Sequence, residues 1–210
     1  MMRYKAVIYD IDGTLLDTIA MNMYPLIRVI KEQTGQEKTY DEVKHFFSMS
    51  GKATMEALGF DYETVYPTWV QYVNEYEQPA LPYAGICDLV KKLYQENMIQ
   101  AIVSAKEKKQ YDIDMKDSGL DEYMQAVVLF EDTVKHKPDP EPLYKVLKDL
   151  NLKKNEVCYI GDARSDGLAS LNAGIDFIHA RWANLGIEPI ESAVFVANHV
   201  EDCWEFLINE

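Results

Sequence analysis

The chain has 210 residues and a hydrophobic content of 48%, enough apolar material for one domain with a large insertion or for two small domains. Its net charge of -14 argues against binding to the phosphate backbone of nucleic acids or to anionic membranes. The first residues form no apolar signal region and no run approaches the length of a membrane span, so we expect a soluble, cytoplasmic protein.

The first predicted element is a short buried strand at residues 6–9, which ends in two acids. Asp10 and Asp12 are separated by one residue, and Gly13 follows them as a turn residue. Because residues i and i+2 of a strand project to the same side, both carboxylates can face one small volume. Two acids so close repel each other, and a bound divalent metal is the simplest way to keep both ionised.

Residues 19 to about 80 are rich in helix formers, and their patterns predict four helices. Apolar spacing predicts the first from residue 19 to a stop at Gly35. A capping box from Thr39 to Glu42 opens the second, which we expect to run through residue 47. The third is predicted at residues 54–58, ended by Gly59, and Pro67 is expected in the first turn of the fourth.

Beyond residue 82 the chain alternates between helix and strand. Strands are predicted at residues 99–103, 127–130, 157–160, 175–179 and 194–196. Helices are predicted around residues 86–93, 108–118, 140–150, 165–173 and 201–208. This alternation predicts an α/β fold with a Rossmann-like, three-layer core, in which a parallel sheet lies between two layers of helices and an α-helical region is inserted after the first strand.

Polar side chains follow each of the first four predicted strands of this sheet. Ligands of open parallel sheets bind beyond the carboxyl ends of the strands, so we expect these side chains to share one site. They are Asp10 and Asp12 after the first strand, Ser104 after the second, Lys137 in the loop after the third, and Asp162 with Asp166 after the fourth.

Four local motifs occur in order along nearly the whole chain. They are Asp-Ile-Asp-Gly-Thr-Leu-Leu-Asp-Thr at residues 10–18, Ile-Val-Ser at 102–104, Lys-Pro-Asp-Pro-Glu-Pro-Leu-Tyr at 137–144 and Gly-Asp-Ala-Arg-Ser-Asp at 161–166. The ordered set resembles the motifs of the haloacid dehalogenase superfamily of phosphohydrolases, and in particular its phosphoglycolate phosphatase-like members with a small helical cap of the C1 type. Any single motif is weak evidence, whereas the ordered set is specific.

The resemblance implies hydrolysis of a small, soluble phosphate monoester through an aspartyl-phosphate intermediate. By this resemblance Asp10 is the nucleophile, and Asp12 is the general acid that protonates the leaving oxygen and the base that then activates water. Ser104 would hydrogen-bond a phosphoryl oxygen. Lys137 would neutralise charge on Asp10 and on the transferring group.

The resemblance also implies a magnesium ion as cofactor, which suits a site made only of oxygen ligands. It assigns to the ion the side chains of Asp10 and Asp162 and the backbone carbonyl of Asp12. Asp166 belongs to the same metal site, where we expect it to orient water or Lys137.

The predicted helical region corresponds to the cap of the family, which gives residues 18–81 as cap and residues 1–17 and 82–210 as catalytic core. Caps close over substrates and select them. Gly51 and Lys52 are candidates to contact an anionic substrate, and a plain surface loop between cap helices is the equal alternative. Ala105 stands where close phosphatase relatives often place asparagine, so it is a further substrate candidate and leaves the identity of the small phosphorylated metabolite open. A monomer and a dimer are both compatible with the sequence.

Two alternative functions stay open beside hydrolysis. Hexose-phosphate mutases of the superfamily keep all four motifs, but some carry a histidine where this chain has Asn22, which favours hydrolysis. A non-catalytic regulatory protein that binds magnesium or phosphate is the alternative from another class, and the presence of Asp12 argues against it, because binding alone needs no general acid. Asp12 also argues against dehalogenases and phosphonatases, which lack the second aspartate.

Overall fold

The computed structural model describes residues 2–115, 118–186 and 188–208. It contains two compact units. Thr18–Ala80 forms the first, which we call the helical unit. The chain before Thr18 and after Ala80 forms the second, which we call the core unit. Within the described ranges, no helix combines the length and the apolar composition that crossing a membrane requires.

The elements alternate along the core unit and are all helical in the helical unit. The helical unit contains α1 (Ile19–Thr34), α2 (Tyr40–Val43), α3 (Gly51–Leu58) and α4 (Tyr62–Asn74). The strands of the core unit are β1 (Ala6–Tyr9), β2 (Leu16–Asp17), β3 (Leu81–Pro82), β4 (Ile99–Val103), β5 (Ala126–Val128), β6 (Val157–Gly161), β7 (Asp176–Ala180) and β8 (Ala193–Ala197). Its helices are α5 (Ile86–Gln95), α6 (Lys108–Met115), α7 (Glu141–Asp149), α8 (Arg164–Ala173) and α9 (Val200–Ile208).

Six strands of the core unit form one parallel sheet in the order β5-β4-β1-β6-β7-β8. Strand β1 lies between β4 and β6, with Tyr9 opposite Ile102 on one side and Ile160 on the other. All four residues of β1 are buried, as expected for a strand covered on both faces. The prediction of a parallel α/β fold is confirmed.

Helices cover both faces of this sheet. Alternate strand residues such as Ile8 and Tyr159 belong to a core cluster with Leu143 of α7 and Ala169 of α8. On the opposite face α5 packs against α9 and against β4, while α9 also contacts β8. The sheet therefore forms the middle layer of three, and its carboxyl edge lies outside both helical layers.

A second, two-stranded sheet was not expected from the sequence. Strands β2 and β3 pair antiparallel, with Leu16 opposite Pro82 and Asp17 opposite Leu81. Two-residue strands are too short to show the alternation of apolar and polar residues that marks a strand in a sequence. The pair joins the two chain segments that flank the helical unit, and it places Leu81 in the core unit.

The helical unit contains the four predicted helices, with three corrected boundaries. Helix α4 begins at Tyr62 after the N-cap Asp61, whose carboxylate accepts a hydrogen bond from the backbone of Thr64. Pro67 therefore lies inside α4, and its prediction in the first turn was wrong, because the aspartate cap sets the start. The predicted capping box is present: Glu42 accepts from the backbone and the hydroxyl of Thr39. The α-helix that it opens ends at Val43 and continues to Ser48 as a 3-10 helix.

The third boundary concerns the start of α3, which lies at Gly51 and not at residue 54. Ser50 is its N-cap and accepts a hydrogen bond from the backbone of Ala53 at 3.2 Å. Gly51 and Lys52 consequently lie in the first helical turn and not in a loop. A Cβ at Gly51 would overlap the ring of Tyr66, so packing within the helical unit already accounts for a glycine at this position.

Some element boundaries of the core unit also differ from their predictions. The strand predicted at residues 127–130 is β5 at Ala126–Val128, and a 3-10 helix follows at Phe130–Asp132. The helix predicted at residues 108–118 is described over Lys108–Met115, and residues 116 and 117 of that prediction lie outside the described residues.

A buried side chain also connects a helix to the sheet. Gln100 Nε2 donates a hydrogen bond to the carbonyl of Val90, which connects α5 to β4.

Candidate active site

The carboxyl ends of three adjacent strands place the predicted site residues at one edge of the sheet. Asp10 directly follows β1, and its backbone N–H still donates to the carbonyl of Ile160 in β6 at 2.9 Å. Ser104 directly follows β4, and Asp162 directly follows β6. Because these strands are parallel neighbours, their terminal side chains share the position at which open α/β sheets bind ligands.

Lys137 connects two of the acids at this edge. Its Nζ lies 3.0 Å from Oδ1 of Asp10 and 2.7 Å from Oδ1 of Asp166. The Lys137 side chain is 7% exposed, so these ion pairs are shielded from solvent. Burial lowers the pKa of Lys137, but Asp10 and Asp166 raise it by more, and the net result is well above its ordinary value. Lys137 therefore places a positive charge beside Asp10.

Tyr159 is a buried partner of this ion pair that the sequence interpretation did not identify as a site residue. It lies in the middle of β6, and its hydroxyl accepts from Nζ of Lys137 at 3.1 Å and donates to Asp166 at 3.0 Å. A tyrosine inside an apolar strand is typical of a core residue, so only the contacts of its hydroxyl show that it supports the site. The three groups form one closed network with satisfied hydrogen bonds.

Asp162 is held against the turn that follows β1. The hydroxyl of Thr14 donates to Oδ1 of Asp162 at 3.1 Å. Gly13 has φ +75, and a Cβ there would lie 2.5 Å from Oδ2 of Asp162. The glycine is thus required twice, for a left-handed backbone and for the close approach of a carboxylate.

Asp10, Asp162 and Asp166 form a buried cluster in which one carboxylate oxygen from each lies within 4.8 Å of the others. Burial raises the pKa of Asp10 from 3.8 to about 7, with Asp166 and Asp12 adding to the shift and Lys137 opposing it. Burial, Asp166 and Asp10 also raise the pKa of Asp162 well above its ordinary value. Three carboxylates with one lysine leave an excess of negative charge that a cation can neutralise.

Asp166 takes part in this cluster with oxygens that already have protein partners. Its Oδ1 accepts from Lys137 and Tyr159, and its Oδ2 accepts from the backbone N–H of Ala163 at the start of α8 at 3.0 Å. The residue is fully buried. These bonds suit a residue that fixes Lys137 and the start of the helix better than one that binds a metal directly.

Ser104 and Asp12 lie at the same sheet edge, after β4 and β1 respectively. The hydroxyl of Ser104 accepts a hydrogen bond from the backbone N–H of Lys106 at 3.2 Å. The carboxylate of Asp12 is 30% exposed and lies 3.0 Å from Nζ of Lys106. Ala105, the substrate candidate that follows Ser104, is exposed just after the end of β4. Lys106 is also buried, which no local pattern in the sequence predicts.

The two remaining substrate candidates lie in the helical unit. Lys52 is exposed in the first turn of α3, and Gly51 lies directly before it, against Tyr66. The structure therefore gathers Asp10, Lys137, Asp162 and Asp166 into one cluster, with Ser104 and Asp12 at the same edge of the sheet. Gly51 and Lys52 belong to the other unit.

The parallel α/β core, the buried acids at its edge and a matching family model together identify the chain as a hydrolase. More particularly, the chain belongs to the haloacid dehalogenase-like hydrolase family, whose model matches residues 7–180. The family resemblance of the four motifs is thereby confirmed.

Comparisons with individual proteins agree with this membership. A relative from Caldanaerobacter subterraneus, provisionally named pyrophosphatase PpaX, is 28% identical over 98% of this chain and 94% of its own length. A crystal structure from Lactobacillus plantarum, provisionally named a phosphoglycolate phosphatase, has a TM-score of 0.86 at 23% identity and covers 97% of this chain and 99% of its own. A Thermotoga maritima structure, provisionally named a beta-phosphoglucomutase, has a TM-score of 0.73 at 19% identity, with 97% of this chain and 100% of its own covered. At these identities the two structures show the shared fold alone.

Proposed function

We propose that this enzyme hydrolyses a small, soluble phosphate monoester with magnesium, through an aspartyl-phosphate intermediate on Asp10. The observation that supports the proposal best is the position of Lys137, whose ammonium group is 3.0 Å from a carboxylate that ends the central strand of the sheet. A carboxylate can attack phosphorus only if the negative charges of both groups are offset. Lys137 supplies one positive charge for this purpose.

The donor set fits a magnesium ion. Asp10 and Asp162 offer carboxylate oxygens that lie near each other, and the backbone carbonyl of Asp12 is the third protein ligand in this proposal. Mg²⁺ prefers oxygen ligands of this kind and normally keeps several waters. Bound here, it would supply positive charge to a phosphoryl oxygen and would keep the buried acids ionised. Asp166 would act through its hydrogen bonds to Lys137.

In the proposed first step, a carboxylate oxygen of Asp10 forms a bond to phosphorus while the bond from phosphorus to the ester oxygen breaks. The proton of the Asp12 carboxyl group passes to the departing oxygen, which leaves as an alcohol. In the second step Asp12 accepts a proton from water, whose oxygen attacks the phosphorus of the aspartyl-phosphate. Inorganic phosphate leaves and Asp10 is restored. Ser104 would hydrogen-bond a phosphoryl oxygen in both steps.

The sheet edge alone does not select one substrate. The PpaX name of one relative makes inorganic pyrophosphate a second candidate substrate. A mutase reaction on hexose phosphates is the alternative within the family. The alternative from another functional class is a regulatory protein that binds magnesium and phosphate without turnover. Exposed Lys52 is proposed to contribute to recognition of an anionic substrate, and exposed Ala105, next to Ser104, is a further candidate to contact it.

The direct test is the variant Asp10→Asn, with Asp149→Asn as a matched control. Asp149 is an acid at the end of α7 that forms an ion pair with Lys145 away from the sheet edge. We expect Asp10→Asn to remove magnesium-dependent release of phosphate from an aryl phosphate and Asp149→Asn to retain it. After acid quenching, radiolabelled phosphate should remain on the wild-type chain and be absent from Asp10→Asn. Wild-type turnover by Asp10→Asn would overturn the proposal.

A panel of substrates separates the alternatives. It should contain phosphoglycolate, pyrophosphate, several sugar phosphates and a nucleotide, each assayed with magnesium. The sugar phosphates are tested with and without a sugar bisphosphate. Release of phosphate indicates a hydrolase, whereas conversion of one sugar phosphate into its isomer that depends on the bisphosphate indicates a mutase. Binding of phosphate without any turnover indicates the regulatory protein.

A further inference from the structure

Lys106 is a buried lysine that none of the proposed catalytic roles uses. It lies two residues after Ser104, and its side chain is 6% exposed. Its Nζ contacts two carboxylates, Asp114 of α6 and Asp12 of the turn after β1. Burying an ammonium group is unfavourable unless it is paired, so at least one of these acids is needed for the stability of the fold.

Asp114 already meets that need. Its carboxylate is 4% exposed and accepts a hydrogen bond from Nζ of Lys106. Asp114 lies on α6, outside the acid cluster formed by Asp10, Asp162 and Asp166. Lys106 and Asp114 therefore form a buried ion pair by themselves. The second contact of Lys106, to Asp12, is not required to compensate the buried charge.

The contact with Asp12 selects one oxygen of that carboxyl group. Oδ1 of Asp12 is 3.0 Å from Nζ of Lys106. This oxygen is itself buried and, within the part of the chain that the structure describes, has no hydrogen-bond partner. The contact is thus an ion pair without hydrogen-bond geometry. With Oδ1 directed to Lys106, Oδ2 is the oxygen left to exchange a proton with a substrate.

The charges make this contact suitable for holding a group that must gain and lose a proton. The negative charge of Asp114 offsets most of the positive charge of Lys106 as seen from Asp12. A lysine that is compensated in this way orients a neighbouring carboxyl group through a short contact, and its net field is weaker than that of a lone ammonium group. The backbone of Lys106 also donates to the hydroxyl of Ser104, so one short loop connects two of the proposed catalytic side chains.

We infer that Lys106, fixed by Asp114, is a positioning residue that holds the Asp12 carboxyl group for proton transfer to the leaving oxygen. This inference rests on the proposed function, in which Asp12 is the general acid. It predicts a specific pattern of loss. Leaving groups that depart without a proton should be turned over almost normally without Lys106, and leaving groups that need a proton should not.

The experiment compares two substrates of the magnesium-loaded enzyme, 2,4-dinitrophenyl phosphate and an alkyl phosphate such as glycerol phosphate. For Lys106→Met we expect kcat/KM to fall at least 10-fold more on the alkyl phosphate than on the dinitrophenyl ester, and we expect a smaller difference for Lys106→Arg, which keeps the positive charge. The matched control is Lys108→Met, because Lys108 is two residues away, exposed, and paired with Asp112 along α6. Lys108→Met should leave kcat/KM on both substrates unchanged.

Two additions keep failure of the inference separate from failure of the proposed function and from failure to fold. Asp12→Asn is assayed alongside. If its kcat/KM falls equally on the two substrates, the proposed function is wrong. If its kcat/KM falls more on the alkyl phosphate, while Lys106→Met loses activity on both substrates equally or on neither, the inference is wrong. Lys106→Met leaves Asp114 as an unpaired buried acid, so Lys106→Met/Asp114→Asn is prepared as well and should show the same difference. Loss of the folded circular dichroism spectrum in both variants would also overturn the inference, since Lys106 would then be a structural residue.

Discussion

The ammonium group of Lys137 lies 3.0 Å from Oδ1 of Asp10, and this contact joins a loop to the central strand of the sheet. Asp166 accepts from the same nitrogen at 2.7 Å. One carboxylate partner would leave the side chain of the lysine able to change its position, whereas two buried acids together restrict its ammonium group to one position. Asp166 therefore positions the charge that the proposed nucleophile requires.

The first prediction concerns removal of this charge by Lys137→Met. We expect kcat to fall by about 100- to 1000-fold, the usual loss when one preorganised electrostatic partner of a reaction is removed. The fold should persist if the assay contains magnesium, because the cation can offset part of the acid cluster. Steady-state kinetics on an aryl phosphate and thermal unfolding check both expectations.

Lys137→Arg and Lys145→Met are the companions of this variant. Arginine keeps the charge but cannot place it on both Oδ1 atoms in the same geometry, so it should retain an intermediate activity. Lys145 pairs with Asp149 on α7, and its loss should change little. Full activity of Lys137→Met would contradict the proposed role of Lys137.

The second prediction concerns the stability of the metal-free protein as pH changes. In the folded protein without a metal, burial raises the pKa of Asp10 from 3.8, the value in an unfolded chain, to about 7. Because the folded state binds the proton of Asp10 more tightly, the free energy of unfolding should fall as the pH rises from about 4 to about 7, by roughly 2 to 4 kcal/mol. Urea unfolding at several pH values, in the presence of a chelator, measures this dependence.

Magnesium should oppose this fall in stability with rising pH. Protons and the cation compete for the same carboxylates, so the stabilisation by magnesium should be larger at pH 8 than at pH 5. Asp162→Asn removes one charge of the cluster and should both flatten the pH dependence of the metal-free protein and weaken the effect of magnesium. An equal effect of magnesium at the two pH values would argue against a cation at these carboxylates.

The sequence predicted the sheet and the polar groups at its edge because both depend on local patterns. A buried strand such as β6 is a run of apolar residues, and the acid after it ends that run, so Asp162 could be placed at the carboxyl edge from spacing alone. Helix ends were predictable where a residue has one strong local role, as Gly35 and Gly59 do at the C-termini of α1 and α3 with φ +72 and φ +71.

The features that could not be predicted depend on contacts between distant parts of the chain. Tyr159 looks like an ordinary core residue until Lys137 and Asp166 reach its hydroxyl. The partner of Lys106 on α6 is eight residues away and was not distinguishable from the other acids around it. The β2–β3 pair brings residue 17 next to residue 81, a pairing that no local pattern marks.

The third prediction concerns Lys52, which is exposed on α3. If Lys52 contributes to recognition, Lys52→Ala should raise KM for the best substrate of the panel by about 10-fold, as expected for loss of one charged contact worth about 1.4 kcal/mol, and should change KM for an aryl phosphate much less. Lys31→Ala is the matched control, since Lys31 is an exposed lysine of the same unit that pairs with Glu37. Equal increases on both substrates would remove Lys52 from recognition.

The last prediction concerns Gly13, whose backbone conformation favours glycine and whose lack of a side chain makes room for the carboxylate of Asp162. At φ +75 any residue with a Cβ is strained, by about 1 to 2 kcal/mol from the backbone alone. The added methyl group would also lie 2.5 Å from Oδ2 of Asp162, so the carboxylate must move away from its place beside Thr14. Gly13→Ala should therefore lower both stability and magnesium affinity, measured by thermal unfolding with and without the ion. Gly35→Ala has a comparable positive φ with open space around it, so it should lose stability to a similar or smaller degree and keep its response to magnesium. If both variants respond to magnesium as the wild type does, Asp162 does not depend on Gly13 for its position.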